Sequence, residues 1–226
     1  MKKKKKKRIK LRILPVFILL LVISLIVGIS YLFTLIPIKN IYISGNKHLS
    51  DQTIIELAQI EKYPSFFKTK SSSIEKKIKQ NQYIENVVVK KKLLANIYIK
   101  IEEKNILFRK DENNLIVLED KTELNDDYSY QVPLLLNYVP DTKYDSFIKG
   151  MNLVTESIKN QISEITYSPN EQDEDRFLLY MNDGNYVYLT LTKFKQINYY
   201  EDVLDKLEGK KGILYLDSGN HFEIIK

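Results

Sequence analysis

The longest uninterrupted apolar pattern in the chain lies near its N-terminus, where residues 13–36 contain no charged side chain. A helix rises about 1.5 Å per residue, so this run reaches roughly 36 Å, enough to cross a hydrocarbon core about 30 Å thick. Pro15 falls in the first turn, where a missing N–H costs little, and Gly28 is tolerated in a membrane helix. The pattern therefore predicts one membrane-spanning helix over residues 13–36.

The chain then changes to shorter patterns, which predict a β-α-α-β-β unit over residues 37–107. Strands are predicted where apolar residues alternate with polar ones, and helices where apolar residues recur at a helical spacing. Ser50 is placed to cap the first helix, and Ser72 with Glu75 has the spacing of a capping box for the second. One sheet face covered by two helices makes a two-layer α+β unit. In chain order the predicted elements are a strand over residues 38–43, a helix after Ser50, a helix after Ser72, and strands over residues 84–90 and 96–103.

Residues 108–226 show a mixed, strand-rich pattern, which predicts a second domain. Polar turns at residues 182–185 and 217–220 separate apolar runs and predict two hairpins. Apolar residues at helical spacing predict helices over residues 144–162 and 192–207. The predicted strands cover residues 115–118, an edge segment at 132–135, and residues 165–167, 177–181, 186–191, 213–216 and 222–225. The predicted fold class is a single-pass membrane protein with an α+β body.

Charge predicts the orientation of the membrane helix. Nine of the first twelve residues are basic, which predicts that residues 1–12 stay in the cytoplasm and that the chain after residue 36 lies on the other side. A cleaved signal peptide is the alternative, but such a peptide has a shorter apolar core and an A-x-A-like site, and none ends this run. Residues 13–226 carry 26 basic and 29 acidic side chains, so the body has no positive excess that would attract nucleic acid.

Side chains that could support catalysis or metal binding are sparse in this sequence. Cysteine is absent, which excludes disulfides and thiol chemistry, and the only histidines, His48 and His221, are predicted to be solvated. The acidic loop at residues 171–175 lacks the glycine and the distal glutamate of an EF-hand loop. The adjacent acidic pairs at 102–103 and 126–127 would point to opposite faces of a strand. The sequence predicts no catalytic residue, metal site or cofactor, and an anchored cell-envelope enzyme remains an alternative.

Three motifs in this order resemble one known family. They are Ile41-x-Ile43-x-Gly45-Asn46-x-x-Leu49-Ser50-x-x-x-Ile54, then Ile97-x-Ile99-x-Ile101-x-Glu103-Lys104, and then residues 212–216 followed by Asp217-Ser218-Gly219 and a final strand. With the basic tail and the membrane helix, this layout resembles the bacterial cell-division family FtsQ/DivIB, whose first extracytoplasmic unit is a POTRA domain. The family's common aromatic–proline pair before the closing strand is replaced here by Leu93-Leu94, and a common proline by Ile106.

The resemblance implies domains at residues 1–12 (basic cytoplasmic tail), 13–36 (transmembrane helix), 37–107 (POTRA) and 108–226 (C-terminal β domain). It also implies a non-enzymatic divisome scaffold in the bacterial cell membrane at the septum, which links early and late division proteins and helps to control septal peptidoglycan synthesis. The implied partners are FtsL-like and FtsB/DivIC-like bitopic coiled-coil proteins. A POTRA-containing secretion or assembly component is a further alternative, although such proteins usually repeat the unit and add a β-barrel.

The last predicted strand is the expected binding site for these partners. A strand at the end of a sheet leaves backbone N–H and C=O groups unpaired, and a strand of another chain can pair with them. The alternative is that the same residues only complete the core and close the sheet. The predicted partner-binding residues are Ser218, Gly219, Phe222, Glu223, Ile224 and Ile225.

Overall fold

The computed structural model describes residues 13–125, 131–206 and 209–225. They form two units that separate between Glu103 and Lys104. The sequence-based domain limits at residues 12, 36 and 107 stay predictions. The acidic pair at residues 126–127 lies outside the described residues.

Helix α1 covers Ile13–Thr34, almost the whole of the uncharged run. Its 22 residues correspond to a length of about 33 Å, and its apolar side chains are exposed around the helix, as the fractions of 71% for Leu14 and 48% for Phe33 illustrate. A helix that is apolar on all sides needs an apolar environment. By length and composition α1 is therefore a candidate membrane span.

The first unit continues as the predicted β-α-α-β-β arrangement, with limits within two residues of the prediction. Strand β3 is central, parallel to β1 and antiparallel to β2. Strict alternation along β3 places Ile97, Ile99 and Ile101 in the core, each at most 2% exposed. The elements are β1 (Asn40–Ser44), α2 (Asp51–Ala58), α3 (Ser71–Ile78), β2 (Ile84–Lys92) and β3 (Asn96–Glu103).

Of the two predicted helix caps, one is confirmed and one is wrong. The Ser50 hydroxyl accepts the Thr53 N–H at 3.1 Å, as an N-cap does. The capping box at Ser72 and Glu75 does not form, because the N-cap of α3 is Lys70, two residues before Ser72, and it makes no side-chain cap bond. The Glu75 carboxylate instead accepts the Val89 N–H at 2.8 Å. Because β2 is an edge strand, the Val89 N–H lacks a strand partner. The Glu75 carboxylate takes that place and connects α3 to the sheet.

The described residues of the second unit form one sheet of nine strands, in the order β12-β11-β10-β9-β8-β7-β4-β5-β6. Both predicted hairpins are confirmed, since β9 pairs antiparallel with β10 and β11 antiparallel with β12. The elements are β4 (Ile106–Lys110), β5 (Leu115–Leu118), β6 (Glu123–Asn125), β7 (Leu134–Leu135), α4 (Asp141–Asn152), α5 (Glu156–Lys159), β8 (Ile162–Tyr167), β9 (Arg176–Met181), β10 (Tyr186–Thr190), a 3₁₀ helix (Leu191–Tyr199), α6 (Tyr200–Leu204), β11 (Gly212–Tyr215) and β12 (His221–Ile224).

An aromatic cluster joins α4 and the 3₁₀ helix to this sheet. The Phe147 ring of α4 stacks on the Phe177 ring of β9 at 4.8 Å, and the Phe194 ring of the 3₁₀ helix meets both edge-on. All three side chains are at most 1% exposed. Aromatic pairs in these geometries add stability beyond area burial, so this cluster is the centre of the second core.

Three element predictions for the second unit are wrong. The helix predicted over residues 144–162 breaks after α4, because the Asn198 side chain donates to the Leu153 carbonyl at 2.8 Å and accepts the Thr155 N–H at 2.9 Å. The segment at residues 132–135 is not an edge, since β7 lies between β4 and β8 and is parallel to both. The helix predicted over residues 192–207 starts as a 3₁₀ helix and becomes α-helical only at Tyr200.

Candidate partner-binding edge

Strand β12 ends the nine-stranded sheet, and within the described ranges it pairs with β11 alone. The register places Ile224 opposite Gly212 and Phe222 opposite Leu214. The Ile225 N–H donates to the Lys211 carbonyl at 3.0 Å. Since residues of an antiparallel strand point their backbone groups to alternate sides, this bond sets the direction of every neighbouring group. Residues 221, 223 and 225 face β11, whereas Phe222 and Ile224 present their N–H and C=O groups to the open side.

The side chains of β12 divide between the core and the surface. Phe222 is half-buried and packs against the second core. Ile224 and Ile225 are 52% and 48% exposed, and Glu223 is also exposed. The structure thus brings together Phe222, Glu223, Ile224 and Ile225 along one free edge, where two isoleucines remain available for contact.

The turn between β11 and β12 is held by a partly buried ion pair. Asp217 accepts a bond from the Arg176 Nε at 2.7 Å, with the two side chains 7% and 15% exposed. Arg176 also lies over the Tyr188 ring at 3.5 Å. The Ser218 hydroxyl donates to the Asp217 carboxylate at 3.2 Å, and Gly219 adopts a φ of +130°. Ser218 and Gly219 therefore shape the turn and lie beside the edge, not on it.

A row of stacked rings supports the same edge from the face opposite Phe222. The Tyr188 and Tyr215 rings stack at 5.5 Å, and the His221 ring stacks on Tyr215 at 4.7 Å. The Tyr215 hydroxyl donates to Glu223 at 3.1 Å. Burial, together with this bond, raises the pKa of the Tyr215 phenol. His221, predicted to be solvated, is exposed but stacked on Tyr215, and cross-strand register is the signal that identifies this contact.

A buried polar network, which the sequence analysis missed, positions the start of β11. Asn185 is 1% exposed; its side-chain oxygen accepts the Gly212 N–H at 2.8 Å and its amide donates to Asp183 at 2.9 Å. The Tyr200 hydroxyl donates to the same carboxylate at 2.9 Å, and burial raises the pKa of this phenol. The polar turn at residues 182–185 therefore has two roles. It forms the hairpin, and its side chains also bond the start of β11, a strand distant in sequence.

Residues that could form a metal centre do not converge in the described part of the chain, where no three His, Asp or Glu side chains are grouped to hold an ion. The two members of the Glu102–Glu103 pair differ as predicted, since Glu102 is exposed and Glu103 is buried. The Glu103 carboxylate accepts the N–H groups of His48 and Leu49 at 2.8 and 3.1 Å. These bonds give Glu103 a role in holding the loop before α2.

The candidate span, the β-α-α-β-β unit and the strand-rich unit together define a membrane-associated protein with a POTRA domain. Residues 36–104 match the model of the FtsQ-type POTRA domain, and residues 106–218 match that of the C-terminal domain of cell division protein FtsQ/DivIB. The chain belongs to the FtsQ/DivIB family of bacterial cell-division proteins, so it has a role in the divisome. The matched part ends before β12, so the binding role of the edge stays a prediction.

Curated relatives extend this similarity over nearly the whole chain. Cell division protein DivIB of Bacillus subtilis is 31% identical over 98% of this chain and 87% of the relative. DivIB of Listeria monocytogenes is 26% identical over 99% and 85% of the two chains. The solved extracytoplasmic domain of DivIB from Geobacillus stearothermophilus is 21% identical over 47% of this chain and 96% of that domain, with a TM-score of 0.39.

Proposed function

We propose that this protein is a non-enzymatic scaffold of the divisome, which binds FtsL-like and FtsB/DivIC-like coiled-coil proteins by strand addition to β12. Through these partners it links early and late division proteins and helps to control septal peptidoglycan synthesis. The basic residues 1–12 favour a cytoplasmic N-terminus, so both folded units lie outside the cytoplasm, at the division septum.

The observation that carries this proposal is the free edge of β12. The N–H and C=O groups of Phe222 and Ile224 point away from β11, as the bond between Ile225 and Lys211 implies. An added strand would pair with these groups, and main-chain bonds of this kind supply affinity while side-chain pockets supply specificity. The exposed Ile224 and Ile225 side chains are placed to provide the apolar part of such an interface.

The test uses substitutions that separate the two sides of β12. Ile224→Pro removes a donor on the open side, which we expect to weaken partner binding by about 1–3 kcal/mol, or roughly 5- to 150-fold. Glu223→Pro is the matched control, because it removes a donor that faces β11 and should loosen the strand itself. Ile224→Ala keeps the donor and reports on the side chain alone.

Affinity for the purified coiled-coil pair is measured with the full chain in detergent, and thermal unfolding shows whether each variant folds. The same variants carry a fluorescent protein at the N-terminus to test for a midcell band in dividing cells. A folded Ile224→Pro variant with unchanged affinity would exclude strand addition at this edge. An even envelope signal of the unsubstituted chain would contradict the septal location.

A further inference from the structure

The tip of the β2–β3 hairpin carries the most exposed large apolar side chains in the part of the chain that the structure describes. Leu93 is 89% exposed and Leu94 is 79% exposed. Leu94 and its neighbour Ala95 also adopt positive φ angles of 64° and 59°, a conformation that favours glycine or asparagine. Neither leucine belongs to the core of the first unit, so folding of that core does not account for them.

The hairpin tip borders an open, mostly apolar groove of about 920 Å³. Ile36 and Phe67 line the groove together with Leu93 and Leu94. The Phe67 side chain is half exposed. Three separate segments of the first unit therefore direct apolar side chains to one surface.

Contacts with the end of α1 place this groove at the level of the membrane boundary. The Phe67 ring lies 5.4 Å from the ring of Phe33 in the last turn of α1. The Phe66 N–H donates to the Ile36 carbonyl at 2.8 Å, and the Lys39 N–H donates to the Ala95 carbonyl at 2.9 Å. A span about 33 Å long fills a core about 30 Å thick, so its last turn lies where acyl chains meet headgroups.

The charge around the groove is positive. Its charged lining residues are Lys39, Lys91 and Lys92, without an acidic side chain among the described lining residues. Lys91 has a structural role, because its ammonium group donates to the carbonyls of Phe66 and Thr69. Lys39 and Lys92 are exposed. Lysines and aromatic rings are favoured at membrane interfaces, where long side chains reach the phosphates of anionic lipids.

We propose that Leu93 and Leu94, together with Phe67, insert into the interfacial layer of the bilayer that α1 crosses. Lys39 and Lys92 then lie beside the anionic headgroups of the same leaflet. The hairpin tip is a second attachment of the first unit to the membrane and holds this unit against the lipid surface instead of leaving it on a free tether. This function of the tip is independent of partner binding at β12.

The absence of cysteine in the chain allows a direct test with single-cysteine variants. Leu93→Cys is labelled with an environment-sensitive fluorophore, and the full chain is reconstituted in vesicles of phosphatidylethanolamine and phosphatidylglycerol that contain spin-labelled lipid. Val88→Cys is the matched control, since Val88 is an exposed apolar residue of β2 roughly 16 Å back along the strand. Leu32→Cys, at an exposed position in the last turn of α1, calibrates strong quenching at the depth of the headgroups.

We expect blue-shifted emission and strong quenching at residue 93 by lipid spin-labelled near the headgroup, with little quenching at residue 88. In the second measurement the fluorophore is attached to Lys68→Cys. When Leu93→Ser and Leu94→Asn are added to this variant, quenching of the fluorophore at residue 68 should decrease. Asparagine tolerates the positive φ at residue 94, so the hairpin keeps its shape. Water-like emission at residue 93, with quenching equal to that at residue 88, would overturn the proposal.

Discussion

Gly212→Ala is the substitution with which the structure most directly tests the packing of β12 on β11. A Cβ atom at Gly212 would lie 2.0 Å from the Glu223 carbonyl oxygen and 2.7 Å from the Phe222 ring. Ordinary contacts between carbon and oxygen are about 3.3 Å or longer, so the neighbours must move by more than 1 Å. Both neighbours belong to β12, and the Glu223 carbonyl is backbone, which cannot rotate away as the Phe222 side chain can. We therefore expect the strand to shift off β11.

The expected cost follows from this overlap. Overpacking that forces backbone shifts costs about 1–3 kcal/mol, and the clash falls on a strand that is bonded on one side only. If the whole cost destabilises the pairing of β12 with β11, the affinity for a partner that binds β12 should decrease by roughly 5- to 150-fold. The rest of the second unit should stay folded, because its aromatic cluster at Phe147, Phe177 and Phe194 does not involve β12.

The primary assay is amide hydrogen exchange of the full chain, which needs no partner. Gly212→Ala should accelerate exchange at the Glu223 and Ile225 amides, which face β11. Gly45→Ala is the matched control, because its Cβ would lie 2.2 Å from the Ile101 carbonyl oxygen in the first unit. Gly45→Ala should accelerate amide exchange in the first unit and leave exchange of the β12 amides unchanged. Unaltered exchange of β12 in Gly212→Ala would refute the tight packing of β12 on Gly212.

Two further predictions concern buried polar groups. Glu103→Ala leaves the His48 and Leu49 N–H groups without their carboxylate, and we expect it to lower the free energy of unfolding by about 2–5 kcal/mol. The control, Glu102→Ala at an exposed position, should change that free energy by less than about 0.5 kcal/mol. Denaturant titrations measure both values, and equal effects of the two substitutions would contradict the role of Glu103. The raised pKa of Tyr200 keeps its phenol protonated in the fold while an unfolded chain ionises it near pH 10, so stability present below about pH 10 should decrease as pH rises above it. Tyr200→Phe should show a shallower alkaline decrease in melting temperature, and an identical slope would contradict the assignment.

Several features were predictable because their signals are local. The uncharged run predicts α1 without reference to the rest of the chain. Alternation along β3 and the Ser50 cap need only neighbouring residues. The polar turns at residues 182–185 and 217–220 specify their hairpins in the same way. The predicted edge position of β12 agrees with the strand order of the described sheet, and its binding role stays a prediction.

Other features depend on residues distant in sequence, which no local pattern contains. The break after α4 depends on Asn198, more than forty residues later. The Glu75 carboxylate, which has the spacing of a cap, bonds Val89 of an edge strand instead. The position of β7 inside the sheet depends on parallel pairing with two strands from different parts of the chain.

By itself the sequence determined the candidate span, the order of strands and helices in the first unit, the two hairpins and the family, because periodicity, capping and turn residues act over a few positions. Tertiary structure alone decided which backbone groups of β12 face outward, since that depends on register against β11. It also brought Leu93 and Leu94 to the end of α1, through contacts that join segments some sixty residues apart. The physical reason is that hydrogen-bond direction and surface position are properties of paired segments, and pairing is chosen by the whole folded chain.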